Sequence, residues 1–246
     1  MESILSQTKK SLLKLRNLIF RIRRLDREAL ASVYLRGSGI EIGALSSPLK
    51  VPSSAKVRYL DRMSVADLRK QYPEVKSYPL RVDIIDDGET LGAIVNNSQD
   101  FVIANHFLEH CQDPIRTVVN FIRVLNDGGI MFISLPDKRY MFDKKREVTS
   151  FDHLVRDHDE GPEQSRIEHL RDWVINVEQI RDEEQIQHKV DELSKKGYSL
   201  HYHVWTQREM FFFFDQMKDR FRLPLEILLF MKHEAEVIFI IKKQAP

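Results

Sequence analysis

The sequence has 246 residues, which suits one domain with appendages or two small domains. Hydrophobic residues make up 42%, enough for a real core, so wholesale disorder is excluded. Lys and Arg total 38 against 37 Asp and Glu, and the resulting net charge of +1 argues against a dedicated nucleic-acid binder. A single cysteine, Cys111, excludes a disulfide framework and any multi-cysteine metal site; with only His110 beside it as a base, it reads as an inert thiol. No apolar run reaches the length of a membrane span, and the densest, Leu223 to Met231, is broken by Glu226. The N-terminus lacks a secretory signal, so the expectation is a soluble, cytoplasmic protein.

In chain order, residues 1–30 come first as a basic amphipathic helix. Leu5, Leu12, Leu15, Ile19, Ile22 and Leu25 recur at helical spacing, opposite a face rich in Lys and Arg. Residues 5–27 of such a helix can lie on an anionic membrane surface, and the alternative is a helix covering the main domain or a partner subunit in an oligomer. From Gly37 the pattern alternates. Strands are expected at Gly39 to Gly43, Lys56 to Leu60, Leu80 to Ile85, Phe101 to Ala104 and Ile130 to Leu135, with helices at Val65 to Gln71 and Pro114 to Leu125.

Residues 136–204 break the alternation. They are polar, hold six of the nine histidines and read as a helical insertion that overhangs the acceptor site as a lid. A closing helix follows from Thr206 to Phe221, with Thr206 and Glu209 spaced as a capping box and Phe211 to Phe214 expected in the core. The last two strands, Leu225 to Lys232 and Ala235 to Ile241, are separated by so short a link that only an antiparallel hairpin fits. The organisation is therefore a helix over 1–30, a nucleotide-binding half over 31–135, the insertion over 136–204, and a closing helix and hairpin over 205–246. The fold class is α/β, a doubly wound, mostly parallel, Rossmann-like sheet, which binds ligands at the carboxyl ends of its strands.

Gly39-Ile40-Glu41-Ile42-Gly43-Ala44 places a carboxylate in the first strand and a glycine at its turn. The second strand ends at Asp61, twenty residues beyond Glu41, where an acid can accept from both ribose hydroxyls. A dinucleotide site would want G-x-G-x-x-G after the strand, yet only Gly43 follows it. A sulfonium cofactor carries no phosphate and tolerates a loop with fewer glycines, so Glu41 suits it better. Asp61 also suits a surface turn, Asp86 and Asp87 an ordinary turn, and Glu109 and His110 a structural pair at a helix start.

These residues, together with Asp87-Gly88-Glu89-Thr90-Leu91, the run Asp100 to His110 and Gly128-Gly129 before a strand, resemble class I S-adenosylmethionine-dependent methyltransferases. The resemblance covers residues 37–136 and extends to the closing helix and hairpin, because an antiparallel last strand in a seven-stranded sheet marks that fold. The run Pro136 to His158 is similar to a bacterial, type 11-like subgroup often associated with surface-polysaccharide biosynthesis. The resemblance implies S-adenosylmethionine as cofactor. By position, Glu41 would contact or orient the methionine amino group, with Gly43 and Ala44 beside the methionine moiety. Asp61 and Arg62 would lie by the ribose, Asp87 and Gly88 by the adenine, and Asn105 and His106 would line the floor under the methyl group. The family usually has two more glycines after Gly43, where this chain has Leu45 and Ser47.

Transfer to an oxygen needs a base, and His153 and His106 are the catalytic candidates. His106 follows the fourth strand, while His153 shares a helix face with Asp157 four residues on. Arg139, Tyr140, Arg146, His201 and His203 are the candidate acceptor contacts. His201 and His203 would also sit on one side of an extended segment, as metal ligands can, with Asp152, Asp157 or His153 completing a divalent site. No helical H-x-x-x-H or H-E-x-x-H signature is present, and no metal is counted among the expected cofactors. The expected function is methylation of a small-molecule or glycan acceptor, a sugar hydroxyl above all. The alternatives are a methyltransferase-like scaffold without catalysis, motivated by Leu45 and Ser47, and a nicotinamide-dependent reductase, which the missing glycines and the terminal hairpin disfavour.

Overall fold

The computed structural model describes residues 25–245. The expected helix over residues 1–30 lies outside the described residues except at its end. There Asp26 caps a helix α1 (Arg27–Tyr34) by accepting from the Ala29 N–H. This helix runs across the 30/31 boundary that composition suggests.

Seven strands follow: β1 (Gly37–Ile42), β2 (Ala55–Asp61), β3 (Ile84–Ile85), β4 (Gln99–Asn105), β5 (Leu125–Pro136), β6 (Leu225–His233) and β7 (Glu236–Lys243). They form one sheet in the order β3-β2-β1-β4-β5-β7-β6. β1 to β5 pair in parallel, while β7 runs antiparallel to both β5 and β6. The order reverses between β1 and β4, and such a reversal opens a crevice at the carboxyl edge.

Between the strands lie α2 (Val65–Gln71) and α3 (Pro114–Val124); the insertion supplies α4 (Phe151–Glu160), α5 (Glu163–Asn176) and α6 (Glu183–Lys196); and α7 (Gln207–Phe221) closes the core. Pro114 opens α3 and Asp113 caps it. The Thr206–Glu209 capping box starts α7 as its spacing predicts. Val102, Ala104, Met131 and Ile133 of the sheet pack against α3 and α7 on one face, through Ile115, Val118, Phe121, Phe213 and Phe214. Phe101, Ile103, Phe132 and Ile240 pack on the other face against Leu30, Ala31 and Leu35 of α1 and its end. The insertion holds a smaller core of its own, built on Leu170, Val174, Ile186, Val190 and Leu200. No helix among the described residues is long and apolar enough to cross a membrane.

Three details depart from expectation. Only Ile84–Ile85 of the Leu80–Ile85 run joins the sheet; this is the edge strand, and only β2 is there to pair with it. Asp127-Gly128-Gly129 lies inside β5 rather than before it, where the β4 register shifts between Gln99 and Phe101. Of the four adjacent phenylalanines, Phe213 and Phe214 are buried, whereas Phe211 and Phe212 are exposed, because the core covers one side of α7 only.

Candidate active site

The turn after β1 carries the backbone signature of a close-approach loop. Gly43 sits at φ +63, and a Cβ there would meet nothing nearer than Phe107 Cδ2 at 3.8 Å. Leu45 sits at φ +44, in the left-handed region that glycine normally fills, so the loop keeps a glycine-like path without the second glycine. Glu41 is buried beneath this loop. Its carboxylate oxygens accept from the Leu49 N–H at 2.9 and 3.2 Å, and burial raises its pKa from 4.5 to about 7. Glu41 therefore braces the loop from below.

Asp61 ends β2 as predicted. It accepts from the Met63 N–H at 3.2 Å, and burial raises its pKa above the ordinary range. Arg62 is exposed beside it. Beyond β3, Asp86 accepts from the N–H groups of Asp87 and Ala93, and Asp87 accepts from the Glu89 N–H at 2.7 Å. Gly88 is tightly held: a Cβ there would lie 2.6 Å from both Ile42 Cγ2 and Phe107 Cζ. These close contacts tie the turn after β3 to the end of β1.

At the ends of β4 and β5, Asn105 faces Ser134 in register. Both polar atoms of the Asn105 side chain, and the Ser134 hydroxyl, are buried without a partner among the described residues. Both carboxylate oxygens of Glu109 share that condition, and burial pushes Glu109 upward in pKa. Glu109 lies in a three-residue 3-10 turn, Leu108–His110, not at the start of a longer helix. Buried polar groups without partners are rare and costly, and a cluster of them at a sheet's carboxyl edge marks a place where a ligand supplies the missing bonds.

His106 stands next to that cluster in the left-handed region at φ +50. Its Nε2 lies 2.9 Å from Glu236 Oε2, and its Nδ1 lies 3.6 Å from Glu109 Oε1. Glu236 also accepts from Arg27 of α1, at 2.8 Å from Nε to Oε1 and again from Nη2. The Arg27 and His106 partners outweigh burial and depress Glu236 to a pKa of about 2, below the usual carboxylate range. Asp26, Arg27, Glu28, His106, His233 and Glu236 line a cleft of about 420 Å³.

The predicted acceptor contacts separate. Tyr140 is exposed, with the Lys232 ammonium 4.2 Å from its ring, and the half-exposed Arg139 pairs with the buried Asp137. Arg146, by contrast, is 2% exposed and committed. It donates to Asp143, Asp172 and the carbonyls of His201 and Tyr202. His201 is buried with its Nδ1 2.5 Å from Asp143 Oδ2, and His203 is fully buried. Arg146, His201 and His203 are thus all buried, with Arg146 and His201 committed to protein partners. His153 does not meet His106. It faces Asp157 and His169 instead, and Asp152 is exposed. Cys111 is buried with its pKa pushed well upward by burial, as an inert thiol should be.

The methyltransferase-domain family matches residues 41–194, more than half of the chain, a range that includes the turns after β1 to β5. The chain belongs to that family. It is an S-adenosylmethionine-dependent methyltransferase. Among solved structures, this methyltransferase is similar to a SAM-dependent methyltransferase from Methanosarcina mazei, at 15% identity over 92% of this chain and 98% of that one, with a TM-score of 0.45. It is similar to one from Thermotoga maritima, at 14% identity over 95% and 97%, with a TM-score of 0.45. A third, from Aquifex aeolicus, shows 9% identity over 87% and 86%, with a TM-score of 0.45. No curated protein matches the sequence closely enough to count as a relative.

The methyltransferase's residues fit its cofactor's chemistry. The Asn105 amide, without a hydrogen-bond partner among the described residues, offers both a donor and acceptors, the desolvated Asp61 carboxylate suits a diol, and the left-handed Gly43 and Leu45 turn permits backbone approach. Sequence reasoning missed Glu236, Arg27 and Ser134, which reach the site from distant parts of the chain. It read Glu109 as structural although its segment was in view.

Proposed function

We propose that the enzyme methylates a hydroxyl oxygen of a small polar acceptor, a sugar or glycan precursor, and that His106 removes the hydroxyl proton. The observation that carries this reading is the chain Arg27–Glu236–His106 on the wall of the 420 Å³ cleft beside the end of β4. When bound, S-adenosylmethionine supplies a methyl group on a positively charged sulfur, so the protein's work is alignment, desolvation and handling of one proton.

The Glu236 carboxylate accepts from Nε2–H of His106, which leaves Nδ1 as the basic nitrogen. Arg27 holds Glu236 in its charged form and in place. As the acceptor oxygen attacks, Nδ1 takes its proton, and the flanking carboxylates Glu236 and Glu109 stabilise the imidazolium that results. Asp61 holds the ribose hydroxyls, Asp87 and Gly88 the adenine edge, Asn105 the floor, and Glu41 keeps the loop at Gly43 in position. Arg139 and Tyr140 stand ready as acceptor contacts outside the closed interior of the insertion. The charged cleft wall suits a hydroxyl-rich molecule, and the likeness of Pro136 to His158 to a polysaccharide-associated subgroup favours a glycan precursor.

The test is transfer of a labelled methyl group from S-adenosylmethionine to a panel of sugars, nucleotide sugars, amines and thiols. We expect label in a sugar as an ether stable to mild alkali. Label confined to amines or thiols overturns the reading.

A further inference from the structure

The insertion holds a group of side chains that this chemistry does not use. α4 brings His153 and Asp157 to one face, α5 adds His169, and the segment returning to the core adds His203. Nε2 of His153 lies 3.0 Å from Asp157 Oδ2 and 3.2 Å from Nε2 of His169, which lies 3.8 Å from the same carboxylate oxygen. One ligand atom from each of the four residues lies within 4.8 Å of all the others. Four ligands at about 2.0–2.2 Å around a tetrahedral ion stand roughly 3.3–3.6 Å apart. The three measured separations, 3.0, 3.2 and 3.8 Å, bracket that spacing.

A second observation points the same way. His203 is fully buried; its Nε2 donates to the Gln112 carbonyl at 3.4 Å, and its Nδ1 has no partner among the described residues. Asp157 Oδ2 is likewise buried without a hydrogen bond, while Oδ1 accepts from Ser165. His169 also meets His203 edge to face, with ring centroids 5.0 Å apart.

We propose that His153, Asp157, His169 and His203 form a four-coordinate site for a divalent transition metal of the zinc class. Three imidazoles and one carboxylate match zinc's ligand preference, whereas calcium and magnesium want more oxygen. In the metal-free arrangement Arg156 Nη2 donates to His153 Nδ1 at 2.8 Å, so the proton of that ring sits on Nε2. Binding through Nε2 moves this proton to Nδ1, and Arg156, which is exposed, turns to solvent. The ion ties α4 and α5 to the return segment. Because the His203 N–H donates to the Glu109 carbonyl at 3.3 Å, it also braces the turn that carries Glu109.

The full chain, stripped with chelator and dialysed against Co²⁺, should hold one ion per chain with the strong visible absorption of a four-coordinate site, and should yield it to Zn²⁺ but not to Mg²⁺ or Ca²⁺. Zn²⁺ at a hundredfold excess over its Kd should raise Tm by several degrees. His169→Ala and His203→Ala should each weaken Co²⁺ uptake at least tenfold, with His188→Ala on an exposed part of α6 as the unaffected control. Failure to take up one equivalent, a weak six-coordinate spectrum, or full uptake by a folded His169→Ala protein overturns the proposal. Should both variants fail to fold, X-ray absorption on the wild-type zinc form decides: fewer than three imidazoles around the ion overturns it.

Discussion

Two regions bury polar groups side by side and treat them in opposite ways. In the insertion, all three guanidinium nitrogens of Arg146 donate, to two carboxylates and two carbonyls, and His201 secures Asp143 from the other side. At the carboxyl edge of the sheet, the side chains of Asn105, Ser134 and Glu109 find no hydrogen-bond partner among the described residues. A saturated buried network fixes shape, while an unsaturated one awaits a ligand. The contrast sorts residues that look alike on a list of buried charges into those that hold the protein together and those that work.

The contrast can be broken by substitutions that move the wrong observable. His106→Ala, at the unsaturated edge, should lower kcat by about 10²–10⁴-fold while Tm stays near wild type, measured by methyl transfer and thermal melting. A large loss of stability with intact turnover would put His106 in the structural class. Arg146→Ala should do the reverse. It strands Asp143 and Asp172 and should cost about 3–5 kcal/mol by urea denaturation. A change below about 1 kcal/mol would show that the saturated network carries little.

Glu41 sharpens the comparison through pH. Its folded pKa is raised from 4.5 to about 7, so across that window the folded state keeps a proton that the unfolded chain has released. Stability should therefore fall as pH rises from about 4.5 to 7, by up to about 3 kcal/mol from this group. Glu41→Gln should flatten that slope in denaturation curves taken at pH 5, 6, 7 and 8. An unchanged slope would mean that Glu41 is charged in the folded protein and paired more fully than its Leu49 contact implies.

Much of the frame was legible because it is local. Period and punctuation mark β1, β2, β4, α2 and α3, and the short link before Glu236 forces the hairpin. Gly43, Asp61, Asn105 and His106 could be placed because a doubly wound sheet sends strand ends to one edge. What stayed hidden depends on contacts across the chain. Glu236 lies 130 residues from His106 and 209 from Arg27, and no local pattern announces either pairing. Arg146 and Arg139 look equivalent in sequence, and only tertiary packing buries one and leaves the other at the surface. His153 and Asp157 were paired by helical spacing alone, but His169 sits on the next helix, so its arrival could not be read from period.

Arg27 carries a practical consequence. The basic leader invites trimming at residue 30, where the composition changes. That cut would pass through α1 and remove the counter-charge of Glu236, so a shortened enzyme could fold, bind its nucleoside and still turn over slowly. Arg27 of α1 lines the same cleft as His106, and any ligand that lifts α1 away from the hairpin would loosen the grip of Glu236 on that ring.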